Sequence, residues 1–230
     1  MGHTTNLLIA SLPRKDREHL LAGCKEVDLV LDEELYRPLE RMRHIYFPVD
    51  SFISLIAQVD DHARLEVTMI GNEGMLGIPL MLGANVASLF ALVQGAGPAL
   101  QMSAATFILE IKGSPPLRRV LDRYAYVLMS QFARTAACTR FHMVPARLAR
   151  WLLMTQDRAG SDNFQITHEF LAYMLGVRRV SVTKAASELQ RQKFIRYRRG
   201  DMTILNRSGL EAASCGCYAS VKATHDRIMG

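Results

Sequence analysis

The sequence predicts an α+β fold: an antiparallel β module near the N-terminus, then one long helix, then a helical C-terminal module closed by a hairpin. Three observations carry this. Between about residues 44 and 107, short β-branched or aromatic runs alternate with turn signals. From Leu117 onward, apolar residues recur at helical spacing. Beyond Val144, helical patterns flank Gly176 and lead into two short β-type runs around Gly200-Asp201.

Taken in order, residues 6–24 read as helical, with Leu7, Leu8, Leu20 and Leu21 on either side of a break at Pro13. The runs HIYFPV, FISLIAQV, RLEVTMI, ASLFALVQ and ALQMS follow as strands. Asp60-Asp61, Gly71-Asn72-Glu73-Gly74, Gly83-Ala84-Asn85 and Gly95-Ala96-Gly97-Pro98 separate them, a spacing that indicates an antiparallel barrel or sandwich. Ser114-Pro115-Pro116 then opens a helix, serine as cap and proline in the first turn. Over 117–139 this helix carries Leu117, Val120, Leu121, Tyr124, Val127, Leu128 and Phe132, and Ala125, Ala133, Ala136 and Ala137 widen its apolar surface beyond one stripe. A helix apolar on two sides has two things to pack against. One is expected to be its own β module. The other is expected to be the same helix of a second subunit, with Leu117, Leu121, Tyr124, Leu128 and Phe132 in the contact. Val144-Pro145 marks the next boundary. A helix from 146 places Leu148, Trp151, Leu152 and Thr155 on one face, with Arg147, Arg150 and Arg158 off it, and ends at Gly160-Ser161-Asp162-Asn163. The expected domains are 1–113, 114–143 and 144–230.

Charge is divided along the same lines. Residues 1–143 hold 14 Lys/Arg against 15 Asp/Glu, whereas residues 144–230 hold 14 against 7, so the excess positive charge lies in the last third. That asymmetry points to a polyanion partner for the C-terminal module. Inside it, Thr167 is a plausible helix cap with Glu169 in the first turn, and FLAYML stops at Gly176. A second helix spans about Arg178 to Gln192. With Val182 at the centre of its inward face, Ala185, Ala186 and Leu189 fall on the same side; Val180, Lys184, Ser187 and Arg191 fall opposite; Ser181 and Thr183 lie on the flanks. Two helices joined by a Gly-centred turn, with small Ala172 at the crossing, form a helix-turn-helix. Arg178 and Arg179 stand at the leading end, where the helix dipole disfavours cations. A major groove offers guanine edges and phosphates that offset the cost. Phe194–Arg198, Arg199-Gly200-Asp201 and Thr203–Leu205 read as a hairpin with its turn at Gly200-Asp201, decorated by Arg196, Arg198 and Arg199. A basic hairpin directly after a recognition helix is a wing, suited to gripping phosphate or the minor groove.

On this order of elements the chain resembles the cyclic AMP receptor and fumarate/nitrate reductase regulators, the Crp/Fnr family. The likeness spans essentially the whole chain and is most specific at ITHEFLAYMLGVRRVSVTKAASELQRQKFIRYRRG, residues 166–200. It implies a cyclic-nucleotide-binding-like β-roll of jelly-roll type, a long dimerisation helix and a C-terminal winged helix-turn-helix. The implied function is that of a homodimeric transcription regulator on palindromic double-stranded DNA, with RNA polymerase as a further partner. Aligned on Gly176, Arg179 matches the guanine-reading arginine, and Ser181 and Lys184 match positions that touch backbone or bases. Thr167, Arg178, Arg179, Val180, Ser181, Thr183 and Lys184, with Arg196, Arg198 and Arg199 of the wing, make the expected DNA-contacting set. Val180 stands where the family often has an acid. It can meet a thymine methyl but cannot accept from cytosine, so the usual half-site is not carried over.

No cofactor is expected. Where the family holds a cyclic nucleotide, this chain has Gly77-Ile78-Pro79-Leu80, with Ile78 in place of the ribose-binding glutamate and Ser88 near the phosphate arginine's position. Residues 65–111 contain no Lys, Arg or His, so a buried phosphodiester would lack a cationic side chain. The family's N-terminal cysteine cluster is reduced to Cys24, and for haem nothing distinguishes His44, His62 or any of 12 methionines as a ligand. Cys215-Gly216-Cys217 alone is too sparse for a four-ligand zinc site, and no metal site is expected. An enzyme is not expected either: there is no Gly-rich phosphate loop, nucleophile elbow or His/Glu zinc spacing, and Glu33-Glu34 and Asp60-Asp61 read as solvated loop charges. The competing reading is a small-molecule sensor whose apolar β-roll signals to a protein partner while the basic domain assists. LLIASL is too short for a signal segment or membrane span, and the protein is expected in the cytoplasm.

Overall fold

A computed structural model describes residues 6–59 and 63–230. The turn at Asp60-Asp61 and the candidate haem ligand His62 lie outside the described residues. The chain forms two compact units. The first contains the described residues up to Leu55, then Thr68–Met129 and Ile228–Gly230; the second contains the described residues of Ile56–Val67 and Ser130–Arg227.

In the first unit, α1 (Leu7–Ala10) and α2 (Arg14–Ala22) flank Pro13, as the sequence predicts. The β-roll follows: β1 (Lys25–Leu29), β2 (Glu34–Tyr36), β3 (His44–Pro48), β4 (Phe52–Val59), β5 (Ala63–Ile70), the short α3 (Ile78–Met81), β6 (Phe90–Gly95) and β7 (Gly97–Ser103). They make two sheets, ordered β1-β7-β3 and β2-β6-β4-β5. In the first sheet β7 is the centre, with Leu100 opposite Glu26 on one side and Phe47 on the other, both antiparallel. Gly97 enters β7 at φ 145°, and a Cβ there would meet the Asp50 carbonyl oxygen at 2.2 Å, so only glycine fits this corner. The core is apolar: Ile45, Phe47, Ile53, Met69, Ile70 and Met75 are all 1% exposed or less.

Two of these strands were not legible. β1 and β2 are short and rich in acids, and Glu34, expected in a solvated loop, begins β2. A helix α4 (Ala104–Gly113) also follows β7 directly, where the sequence suggests only the end of the β module; Ser103 caps it, accepting from the Thr106 amide at 3.1 Å. Helix α5 runs Pro115–Phe141, its start capped by Ser114, whose hydroxyl accepts from the Leu117 amide at 3.2 Å. Leu117, Leu121, Tyr124 and Leu128 are 0–5% exposed in the single chain. The face expected to meet a second subunit is therefore the face buried against the chain's own residues. These positions recur every three or four residues and line one side of the helix. The exposed large apolar residues of α5 are Tyr126 at 48%, Met129 at 61% and, at its last position, Phe141 at 76%; Ala133, Ala136 and Ala137 are exposed between the last two.

The second unit contains α6 (Val144–Ala159), β8 (Asn163–Gln165), α7 (His168–Leu175), α8 (Arg179–Arg191), β9 (Ile195–Arg198), β10 (Asp201–Ile204), α9 (Arg207–Ala213) and α10 (Cys217–Met229). The sequence reading has no counterpart for β8, α9 or α10. Val144 and Pro145 lie in the first turn of α6 rather than before it, and Gly160 closes the helix at φ 58°. α6 is buried on every side from Arg147 to Gln156, so Arg147 and Arg150 are inside the unit rather than on a solvated face. α8 and α9 both pack on α6, which leaves it no solvated face there.

Candidate nucleic-acid interface

The helix-turn-helix is α7, Gly176 and α8. Thr167 caps α7 by accepting from the Phe170 amide at 3.1 Å. At the other end, Gly176 takes φ 60° and its amide returns to the helix, a left-handed stop. Leu171, Ala172 and Leu175 of α7 are buried, as are Val182, Ala185, Ala186 and Leu189 of α8, the last four at 0–2% exposure. The inward face of α8 is the one that a 100° period around Val182 predicts.

That face fixes what α8 turns outward. Arg178, Arg179, Val180, Thr183 and Lys184 are exposed and Ser181 is half-buried. Arg178 occupies the N-cap position without a side-chain capping bond, and the first turn contains no acid. The helix start therefore presents its dipole and cations together, unfavourable for the isolated helix and favourable toward an anion. Arg179 has one acidic neighbour: its Nε lies 3.9 Å from Glu169 Oε2, with the two side chains 70% and 56% exposed. A solvated pair at that distance contributes at most about 1 kcal/mol and leaves the guanidinium open. Thr183 is engaged locally, donating to the Arg179 carbonyl at 3.1 Å and lying 3.0 Å from His168 Nδ1.

The wing is a three-stranded antiparallel sheet ordered β8-β10-β9. Its turn is Arg199-Gly200, not Gly200-Asp201: both central residues have positive φ, 51° and 92°, and Asp201 already pairs with Arg198 as the first residue of β10. Positive φ at both positions is the two-residue geometry that follows strand twist, with glycine in the second place. Alternation along β9 turns Ile195 inward with Met202 and Ile204 of β10, leaving Arg196 and Arg198 exposed. On that outer face, Arg196 is opposite Thr203, itself opposite Asn163, and Arg198 is opposite Asp201, itself opposite Gln165. These residues line an open hollow of about 490 Å³. The wing is fastened to the helices twice. Tyr197 stacks on His168 with ring centroids 4.2 Å apart, and its amide donates to Gln190 Oε1 of α8 at 2.8 Å. His168, half-buried and beside Arg179, is held below its ordinary pKa, first by burial and then by that cation.

Comparison with known proteins bears on this geometry directly. Residues 146–213 match the family described as the Crp-like helix-turn-helix domain. Among solved structures, the c-di-GMP responsive regulator CLP of Xanthomonas campestris superposes with a TM-score of 0.69 at 16% identity, over 84% of this chain and 99% of that one. The chain has a Crp/Fnr-like fold, and residues 146–213 form its Crp-like helix-turn-helix domain. FixK2 of Bradyrhizobium japonicum gives a TM-score of 0.69 at 16% identity over 84% of this chain and 98% of that chain. A crp/fnr-family transcriptional regulator from Eubacterium rectale gives 0.71 at 15% identity over 90% and 96%. At such identities these structures establish the fold. No curated protein matches in sequence. Among the described residues, no helix is long and apolar enough to cross a membrane.

The structure brings Arg178, Arg179, Val180 and Lys184 to the exposed side of one helix end, and Arg196, Arg198 and Arg199 to the exposed side of the wing. Thr167 lies at the start of α7, its hydroxyl already engaged as a cap.

Proposed function

We propose that the chain is a DNA-binding transcription regulator of the Crp/Fnr type that works as a homodimer and reads palindromic double-stranded DNA. The start of α8 enters the major groove and the wing grips flanking backbone. The observation that carries the reading is the sorting of charge on the second unit's helix-turn-helix and wing: the apolar residues of α8 and β9 turn inward, and six cations, Arg178, Arg179, Lys184, Arg196, Arg198 and Arg199, stay exposed. In this reading Arg179 contacts a guanine edge, Val180 packs on a thymine methyl, and Ser181 and Lys184 set the register. Arg196, Arg198 and Arg199 hold phosphates.

The dimer contact is reassigned to the second apolar side of α5: Tyr126, Met129, Ala133, Ala136 and Ala137, exposed in the single chain and spaced three, four, three and one residues apart. Small residues allow two helices to approach closely, and Tyr126 and Met129 provide the apolar area. Cyclic-nucleotide independence rests on the first unit's chemistry. Ile78, where a ribose-binding acid would stand, is 6% exposed in an apolar surround, and the wall from 65 to 111 has no basic side chain.

Selection of bound fragments from random and genomic DNA tests the proposal. Recovered sites should be inverted repeats whose half-sites are centred about one turn, ~34 Å, apart, with binding that weakens steeply as salt rises. Asymmetric sites, or no retention of duplex DNA at low ionic strength, would refute it.

A further inference from the structure

Cys138 and His142 lie one turn apart near the end of α5, Cys215 just before α10, and Cys217 at its first position. All four belong to the second unit. Their sulfur and imidazole nitrogen atoms lie within 4.8 Å of one another. Cys138 Sγ and Cys215 Sγ are 3.5 Å apart, and Cys217 Sγ and His142 Nδ1 are 3.6 Å apart. The three cysteines are free thiols, each 6% exposed or less, packed together with little but Ala146 beside them. Cys215-Gly216-Cys217 is sparse in sequence; folding supplies the other two members, Cys138 lying 77 residues before Cys215 and His142 75 residues before Cys217.

We propose that Cys138, His142, Cys215 and Cys217 form a tetrahedral binding site for a single zinc ion. Three lines carry this. The first is size. With zinc–sulfur bonds of about 2.3 Å and zinc–nitrogen bonds of about 2.0–2.1 Å, the edges of a tetrahedron are about 3.8 Å between sulfurs and about 3.6 Å between sulfur and nitrogen. The two measured edges already have those lengths within a few tenths of an ångström, and the longest separation must shrink by about 1 Å. A disulfide requires about 2.05 Å between sulfurs, and an iron–sulfur cluster spreads its thiolates around several irons in a wider cage. The second is donor chemistry: three thiolates and one imidazole are a closed structural set for zinc, with no position left for substrate.

The third is charge. Arg147 and Arg150 are buried at 7% and 8% exposure, yet neither has a carboxylate partner among the described residues. Arg147 donates to the Leu175 carbonyl, and Arg150 donates one Nη to Thr135 Oγ1 at 3.2 Å while its Nε has no partner. Both guanidiniums lie within electrostatic range of the cysteine cluster. Zinc with three thiolates and a neutral imidazole carries a net charge of −1, which supplies half of the counter-charge these two guanidiniums lack. On binding, zinc displaces the thiol protons to solvent, so no oxidant or reductant is involved. The site fixes the start of α10 to the end of α5 within the unit. It is independent of the dimer and of any effector.

The test uses the full reduced chain. Purified protein should retain one zinc per chain, and removal of the metal followed by cobalt(II) titration should give the visible bands of a tetrahedral site plus thiolate-to-cobalt charge transfer in the near ultraviolet. His142 is exposed, so H142A should keep the fold by circular dichroism. Its metal affinity should drop by more than the ~10–100-fold that follows loss of a mere outer-shell partner. C217S should alter the charge-transfer intensity. Absence of zinc together with failure of the wild-type chain to form a tetrahedral cobalt complex would overturn the proposal. So would an iron–sulfur chromophore, a Cys138–Cys215 disulfide without metal, or unchanged cobalt spectra in both variants.

Discussion

Arg179→Ala isolates the proposed base contact. In the free protein Arg179 has a single solvated ion pair, 3.9 Å to Glu169, so truncation should change folding stability by no more than about 1 kcal/mol. At the interface the same change removes a bidentate guanine contact worth about 1–3 kcal/mol, a factor of about 5 to 150 in affinity for the cognate site. Because that contact carries sequence information, affinity for random DNA should fall far less. Glu169 adds a second arm. It competes with the operator for the guanidinium and is itself an anion beside the interface, so Glu169→Gln should strengthen binding by up to about 1 kcal/mol, roughly fivefold. In Arg179→Ala most of that gain should vanish, since the competition is gone. Fluorescence anisotropy with the selected site and a scrambled duplex, at one fixed salt concentration, measures the affinities of the wild type, the two single variants and the double variant. Equal weakening on both duplexes would reduce Arg179 to a phosphate contact. A gain from Glu169→Gln undiminished in the Arg179→Ala background would show that the pair has no role in binding.

Arg198→Ala, on the outer face of the wing, should weaken cognate and random DNA alike and reduce the slope of log affinity against log salt by about one, read from a salt titration. Met129→Glu, at an exposed position on α5, should give monomers in sedimentation with folding stability changed by about 0.5 kcal/mol or less, whereas Leu128→Ala, one residue away but 5% exposed, should cost about 2–5 kcal/mol in denaturant melts. The pH dependence of stability should contain a His168 component. Its proton affinity in the folded state is below the ordinary 6.5, so the unfolded chain takes up the proton first as pH falls. The contribution is therefore intact above 6.5 and lost as pH falls through the depressed value. His168→Gln should flatten that part of the stability profile measured by urea melts, and an unchanged profile would count against the assignment.

The helix-turn-helix was legible because its determinants are local: a cap at Thr167, a left-handed stop at Gly176 and a 3.6-residue period centred on Val182. The β-roll was legible in its long apolar strands, where alternation and turn residues lie within a dozen positions. What escaped the sequence depends on partners far along the chain. β1 contains Lys25, Glu26 and Asp28 and becomes a strand through pairing with β7, some 70 residues on. α4 begins where β7 ends, so the apolar run gives no break to read. Arg147 and Arg150 look like solvent residues by period, and are buried because α8 and α9 close over α6. The expected α5 contact differs from the burial for a related reason: periodicity reveals that a helix has two apolar sides but not which one the chain itself covers, here Leu117, Leu121, Tyr124 and Leu128, with Phe132 half-buried. The cysteine–histidine cluster left no local signal beyond the i, i+4 spacing of Cys138 and His142 and the Cys215-Gly216-Cys217 pair, each common by itself.

The hairpin's outer neighbour β8 is the linker through which α6 reaches α7, so a single span of chain both edges the wing and leads into the first helix of the reading head. A displacement of the basic loop is thereby transmitted as a pull on Thr167 and its helix, with the stacked rings of Tyr197 and His168 closing the circuit. Such a triangulated mount lets the arginines arrive at their target already aimed, with little disorder left to quench on docking. It also means that lengthening the Arg199-Gly200 turn should be tolerated far better than inserting residues between Gly160 and Ile166.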